Sequence, residues 1–349
     1  MSSRPRRILI VRPDRVGDVI ISSSCLPAVR ERFPDAEICL GARAAMQPLF
    51  ENHPLRIGFV PLPSPALPFI TRFGALCSTL KEPRFDWVVS LHPDPAFYLA
   101  AWRIGVPRRI GYPLRGLSWT LTEPVAERRR ECRMHEGAYN FDLLQPLGIA
   151  LPEDPASFRA SITLPESTRE SLRGKLAPLG LSPRYFCLHL GAFSPLVRWP
   201  VSHFVALGNH LRERYGADLV LIGHDAADHS HRDFKALAET AGLSFHDLAG
   251  RLDLAELGWL LREALCLIGR DSGPSHLAAA VGCPMVVLFG RLDSPYGPTR
   301  WAPFGERVRI VATPAVRQPK EARNDFFLRA FHEITVERVA AAVGELVLV

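Results

Sequence analysis

The 349-residue chain contains no Gly-x-Gly-x-x-Gly, no Gly-x-x-x-x-Gly-Lys-Ser/Thr and no Asp-x-Asp. The first absence disfavours a nicotinamide dehydrogenase, whose glycines let the backbone approach a dinucleotide pyrophosphate, and the second removes the P-loop. The third removes the carboxylate pair that commonly holds a divalent metal on a nucleotide diphosphate. A diphosphate here is therefore expected to be held by a helix dipole and arginine, with no metal and no cofactor. No apolar run reaches the roughly 18 residues that span a bilayer, and the basic stretch Met1 to Arg7 leads into a short strand-like run instead of a signal peptide's long apolar region. A cytoplasmic location is expected. Seven cysteines (25, 39, 77, 132, 187, 266 and 283) form no CxxC pair and have mostly apolar neighbours, so they read as reduced core residues, not a zinc site or disulfide frame.

What is present is globular: 47% hydrophobic and 22% charged residues, in a chain long enough for two cores. Short apolar runs at 7–11, 36–40, 57–60, 87–91 and 109–110 alternate with helical patterns, the first over Asp18 to Arg32. A second series follows the proline-bearing stretch 151–165: a charged helix at 166–176, then strands at 185–190, 218–222, 264–269 and 284–289. Strand and helix in alternation predict a mostly parallel, doubly wound α/β sheet in each half. The expected domains are 1–165 and 166–334, with a helix at 335–349 returning to the first.

Net charge is +6, which alone says little about partners. Between Arg103 and Arg133, however, eight arginines face three glutamates. This reads either as a solvated basic face or as a surface for phosphorylated or carboxylated acceptors at a membrane, with Arg108, Arg109 and Arg115 as contacts. No nucleic-acid-binding motif accompanies the charge, so no nucleic-acid partner is expected.

Two turns carry candidate chemistry. Arg270-Asp271-Ser272-Gly273-Pro274-Ser275-His276 joins an apolar strand to a helix start, where unpartnered amides and the macrodipole favour an anion. Ser272 and Ser275 can cap those amides or contact phosphate, and Gly273 permits close approach. An ordinary strand-to-helix connection explains the same residues. Arg12-Pro13-Asp14-Arg15-Val16-Gly17-Asp18 places two acids and two bases where the opening strand ends, the edge at which open α/β sheets bind ligands. Asp18 reads as a helix N-cap or as a general base that accepts a sugar hydroxyl's proton as charge develops. Trp199 reads as a base-stacking or a core residue, and His224, His229 and His231 as solvated loop residues.

The chain resembles glycosyltransferase family 9, the ADP-heptose:lipopolysaccharide heptosyltransferases. The resemblance is carried by ILIVRPDRVGDVIISSSCLPAVRERFP at the start, by FDWVVSLHPDP, GVPRRIGYPLRGLSW, HEGAYNFDLLQPLGI and the RWP triplet at 198–200, and by LAGRLDLAELGWLLREALCLIGRDSGPSHLAAAVGCPMVVLFG. It implies a GT-B fold of two Rossmann-like domains facing across a cleft. It further implies inverting transfer of heptose from ADP-heptose to a lipopolysaccharide inner-core acceptor, in peripheral contact with the cytoplasmic face of the inner membrane. The N-terminal domain would hold the acceptor and the C-terminal domain the nucleotide sugar.

Residue by residue, Asp18 matches the family's catalytic aspartate, with Asp14 a second acid nearby. Asp271 matches the acid on donor-sugar hydroxyls, and Ser272, Gly273, Ser275 and His276 would cradle the diphosphate. Asp228 aligns loosely with a ribose contact. Val197 stands where relatives carry a lysine before Arg198, which leaves Arg198 to neutralise donor phosphate, and Gly290-Arg291-Leu292-Asp293 stands where relatives commonly have Gly-Pro-Thr. These departures leave two alternatives: a family relative using another nucleotide sugar or glycan acceptor, and a catalytically silent sugar-nucleotide or glycolipid binding protein.

Overall fold

The computed structural model describes residues 4–154, 158–191, 198–224, 229–290, 292, 296–313 and 315–347. The chain divides into two compact units, Met1–Pro165 and Glu166–Val349. The first unit has strands β1 (Arg7–Val11), β2 (Glu37–Arg43), β3 (Ile57–Leu62), β4 (Trp87–Ser90), β5 (Arg108–Gly111) and β6 (Glu123–Pro124). Around them run helices α1 (Val16–Ser23), α2 (Leu26–Arg32), α3 (Phe69–Lys81), α4 (Pro95–Ile104) and α5 (Glu136–Asp142). In chain order the second unit has α6 (Glu166–Leu176), β7 (Tyr185–His189), α7 (Val201–Tyr215), β8 (Asp218–Ile222), α8 (His229–Thr240), β9 (His246–Asp247) and α9 (Leu254–Glu263). It continues with β10 (Cys266–Arg270), α10 (Gly273–Ala280), β11 (Met285–Phe289), α11 (Pro298–Trp301), β12 (Val308–Ala312), α12 (Arg323–His332) and α13 (Val336–Gly344).

Both sheets are parallel throughout, in the orders β3-β2-β1-β4-β5-β6 and β12-β11-β10-β7-β8-β9. In each, winding reverses at a central pair, β1/β4 in the first unit and β7/β10 in the second. The loops leaving the carboxyl ends of such a pair diverge to opposite faces and open a crevice there. The central strands are buried along nearly their whole length, as expected where helices cover both faces.

The helix expected over 18–32 is two helices with a break at Ser24 and Cys25. Pro27 explains it, because its ring lacks an N–H and clashes with the preceding turn, whereas near the start of α2 it costs no hydrogen bond. Strands β6, β9 and β12 went unpredicted. The first two are two residues long, and β12 is an edge strand whose Ile310 is 42% exposed, so none carries a strong apolar signal. The helix expected to return to the first domain is instead buried within the second unit. Val339 and Val343 of α13 join the core of that unit and pack toward α7, β11 and β12.

The segment that leads out of the first unit is tied back to it. Ser161 donates its amide to Ser23 Oγ (2.9 Å), and Thr163 donates its amide to the Leu49 carbonyl (2.8 Å). The buried His53 accepts the Leu55 amide at Nδ1 (3.2 Å) and meets the Ser161 carbonyl through Nε2 (3.1 Å), which fixes a neutral tautomer. Burial lowers its pKa below the ordinary 6.5, opposed by the Ser161 contact. A depressed histidine favours the native state while neutral, so its stabilisation is complete above the ordinary 6.5 and is lost as pH falls from there through the lower folded-state pKa. The Tm of wild type should drop between pH 7.5 and 5.5 by more than that of His53→Asn. Equal slopes would remove His53 from this role.

Candidate active site

Arg12 directly follows β1 and is 2% exposed. Its guanidinium donates from Nε to Asp14 Oδ1 (2.7 Å), from Nη2 to Asp18 Oδ1 (2.7 Å), and from both Nη atoms to Glu136 Oε1 (3.2 Å each). Nη1 also reaches the Leu91 carbonyl (3.2 Å) and Asn140 Oδ1 (3.3 Å). Burial acts to lower its pKa, but Asp14, Asp18 and Glu136 outweigh that and raise it, so the group is permanently charged. A second buried guanidinium, Arg129, donates to the Leu91 carbonyl (2.6 Å), lies 3.2 Å from Glu136 Oε1 and stacks 4.6 Å over the Tyr112 ring. Asn140 donates on to Ser22 Oγ (3.1 Å), which joins α5 to α1.

Asp18 occupies the third position of α1. The N-cap is Arg15, in extended conformation, so the capping role expected for Asp18 is replaced by its ion pair with Arg12. In the first turn the carboxylate also lies in the favourable field of the helix dipole. Asp18 and Asp14 side chains are 13% and 20% exposed, against 1% for Glu136. The two aspartates thus reach the surface of a cluster whose third acid is buried. His92, just past β4, brings Nδ1 to 3.5 Å from Asp14 Oδ2. Partial burial, then Arg12 and Arg129, lower its pKa against the pull of Asp14 and Asp18.

At the second switch point β10 ends in Arg270, buried and 5.4 Å over the Phe331 ring. Burial lowers its pKa to about 10, opposed by Asp271. Asp271 Oδ1 lies 3.1 Å from His276 Nε2, one turn into α10. Ser272 is the N-cap residue, yet neither serine caps the helix with its hydroxyl. Ser272 Oγ donates to the Arg270 carbonyl (3.1 Å) and lies 3.2 Å from His189 Nδ1, while the buried Ser275 Oγ donates to the same carbonyl (2.6 Å). In this structure the Ser275 proton closes the turn. Pro274 has no N–H, and the Ser275 and His276 amides donate to the Ser272 carbonyl (3.1 and 3.3 Å), so Gly273 supplies the first helix amide without a partner in this turn.

His189, the last residue of β7, is wedged between two glycines. A Cβ on Gly269 would lie 3.0 Å from His189 Cβ, and one on Gly191 would lie 3.0 Å from its Nε2. Glycine at both positions is what admits an imidazole to the floor of the crevice beside the Asp271 turn.

Each unit thus presents a polar cluster at its own switch point, acidic in the first and a strand-turn-helix anion site in the second. A family model for "Glycosyltransferase family 9 (heptosyltransferase)" matches residues 75–330. The chain belongs to glycosyltransferase family 9. Among curated relatives of this family 9 chain, lipopolysaccharide heptosyltransferase 2 of Escherichia coli strain K12 is 26% identical over 98% of this chain and 99% of the relative. The solved glycosyl transferase family 9 structure from Veillonella parvula superposes with a TM-score of 0.80 at 19% identity, covering 98% of this chain and 97% of that one. The solved ADP-heptose lipopolysaccharide heptosyltransferase II of E. coli gives 0.77 at 24% identity, covering 97% and 98%. The expected GT-B type, two doubly wound units, is the fold of this family 9 chain.

Not every residue singled out in the sequence joins these clusters. Arg108 and Arg109 lie at the start of β5, in register with Trp87 and Val88, at the edge of the sheet opposite Arg12. Arg108 is bonded to Glu123 and the Pro146 carbonyl and stacks 4.4 Å over Trp87, while Arg109 donates to the Thr120 and Val106 carbonyls. Both are corrected from acceptor contacts to framework arginines. Arg115 is exposed in the loop after β5, at the same edge as Arg12. Trp199 is a core residue of its own unit, donating to the Ile334 carbonyl (2.8 Å) and packed edge-on against Phe204. His229 and His231 belong to α8, and His231 is buried, contrary to the solvated loop expected. Arg198 immediately precedes Trp199 in the connection from β7 to α7. Val197, Asp228 and Arg291 lie outside the described residues.

Arg12, Glu136, Asn140, Arg129, His92 and His189 were missed as site residues. Glu136 and Asn140 stand four apart on α5 and so share a helix face, a spacing visible in HEGAYN. Nothing local announced that this face meets Arg12. Among the described residues no group of three or more His, Cys, Asp or Glu side chains is placed to hold a metal.

Proposed function

We propose that this chain is an inverting glycosyltransferase that moves heptose from ADP-heptose to a lipopolysaccharide inner-core acceptor, working metal-independently at the cytoplasmic face of the inner membrane. The observation that carries the reading is the placement of a guanidinium-anchored, partly exposed Asp18 at one switch point and of the Asp271 turn at the other. Family membership and the full-length likeness to curated heptosyltransferases support it.

In this mechanism the acceptor hydroxyl attacks the anomeric carbon of the donor, the bond from that carbon to the ADP oxygen breaks, and Asp18 accepts the hydroxyl proton. Arg12 holds Asp18 by one carboxylate oxygen and so fixes its orientation. Negative charge grows on the departing diphosphate, where the Gly273 amide, the dipole of α10 and Arg198 would stabilise it. Asp271, oriented by His276, would bind donor-sugar hydroxyls. Ser272 is positioned with His189 to line the same turn.

ADP release from ADP-heptose with a Kdo-bearing lipid A acceptor tests the reading directly. Acceptor-dependent release that falls at least tenfold in Asp271→Asn, mostly through donor KM, is the expected result. Release from a different nucleotide sugar would reassign the donor. ADP binding without turnover across a donor and acceptor panel would replace the enzyme with a binding protein.

A further inference from the structure

From Ile57 to Thr71 the chain carries no charged residue, and every residue from Ser64 to Thr71 is exposed. This segment enters α3 with Leu67 40%, Phe69 50% and Ile70 83% exposed. Single exposed apolar residues are normal, but three within four positions, in a stretch without charge, form a ridge that water disfavours. The ridge is presented stiffly. Pro63, Pro65 and Pro68 restrict the backbone, and the Ala66 amide donates to Ser64 Oγ (3.2 Å). Arg72, one turn into α3, is buried in a two-pronged ion pair with Asp94, while Leu76 and Leu80 anchor the inner face.

Asp94 also fixes where the ridge lies. It caps α4, accepting from the Ala96 and Phe97 amides (3.1 and 3.2 Å), and stands two residues beyond His92, which contacts Asp14. The ridge therefore projects at the carboxyl edge of the first sheet, the edge that carries Asp18. Loops at that edge expose Arg15, Arg115, Arg130 and Arg133 against Glu127 and Glu131. Apolar side chains beside excess arginine match a bilayer interface, where acyl chains receive the first and anionic headgroups the second.

We propose that Leu67, Phe69 and Ile70 insert into the surface of an anionic phospholipid bilayer and hold the carboxyl edge of the first sheet, with its exposed arginines, against it. The purpose of this contact rests on the glycolipid-acceptor reading, but the contact itself is measured without donor or acceptor.

Full-length protein should float with vesicles of phosphatidylethanolamine and phosphatidylglycerol at about 0.15 M salt. Phe69→Ser/Ile70→Ser should lower the bound fraction by about tenfold or more, with Tm falling by no more than a few degrees because Ile70 is mostly and Phe69 half exposed. In Ile70→Trp, emission should shift to the blue on vesicle addition and be quenched by brominated acyl chains. Wild type that fails to float, a double variant that floats as well as wild type, or an Ile70→Trp emission indifferent to vesicles would each overturn the proposal. Binding that high salt abolishes, with no blue shift, would assign membrane contact to the arginines alone and also overturn it. Vesicle binding that persists in a protein without ADP release would separate this proposal from the proposed reaction.

Discussion

Asp18→Asn is expected to lower kcat by about 10²- to 10⁴-fold, the range a positioned general base contributes, with little change in donor KM. Asparagine matches aspartate in shape and can still accept the Arg12 hydrogen bond through its side-chain oxygen, so the geometry of α1 should survive. What disappears is the basic oxygen that takes the acceptor proton. The ion pair with Arg12 is also lost, although Arg12 keeps Asp14 and Glu136. Tm should therefore change by only a few degrees. Asp14→Asn is the matched control: Asp14 shares the guanidinium and a similar exposure, and should lose less than tenfold. If the two variants lose equally, neither is the base alone, and if Asp14→Asn loses more, the assignment moves to Asp14. Pre-steady-state measurement of ADP formation separates loss of chemistry from slow release.

Arg12→Met should be the most destabilising change in the first unit. The side chain is 2% exposed and is a shared partner of Asp14, Asp18 and Glu136, with further bonds to the Leu91 carbonyl and Asn140. Removing one partner from a buried ion-pair network costs about 3–5 kcal/mol, because the remaining charge stays desolvated. Glu136, 1% exposed, is that charge, with Arg129 still beside it. For a unit of this size the loss corresponds to a drop in Tm of roughly 10 °C. Arg12→Lys keeps the charge but cannot serve three carboxylates at once with a planar fork, so it should recover part of the stability and little of the activity. Circular dichroism melts of the three proteins decide this, and an Arg12→Met melt equal to wild type would show that the cluster does not support the fold.

The legible parts of this protein were those encoded within a few residues. Alternating apolar runs and helical patterns marked the central strands β1, β4, β7 and β10 within one or two residues, because buried parallel strands read as short continuous hydrophobic segments. The turns after β1 and β10 were readable for the same reason, and with them Asp14, Asp18 and Asp271. Short edge strands were not, since two residues of pairing leave no periodicity. The arginine-rich stretch misled in part: charge alone placed Arg108 and Arg109 at an acceptor surface, whereas register put them at the far edge of the sheet, satisfied by Glu123 and backbone carbonyls.

The sequence by itself determined two doubly wound units and the acidic and helix-start turns at the strand ends. Propensity, proline and hydrophobic period act over distances shorter than an element, and the strand-helix alternation leaves few topologies open. Tertiary structure decided the rest. Arg12 meets Glu136 across 124 residues and Asn140 across 128, and Ser272 meets His189 across 83. Those pairs exist because the sheets bring distant loops to one carboxyl edge, where burial makes an unpaired charge costly and so selects partners that no local pattern names.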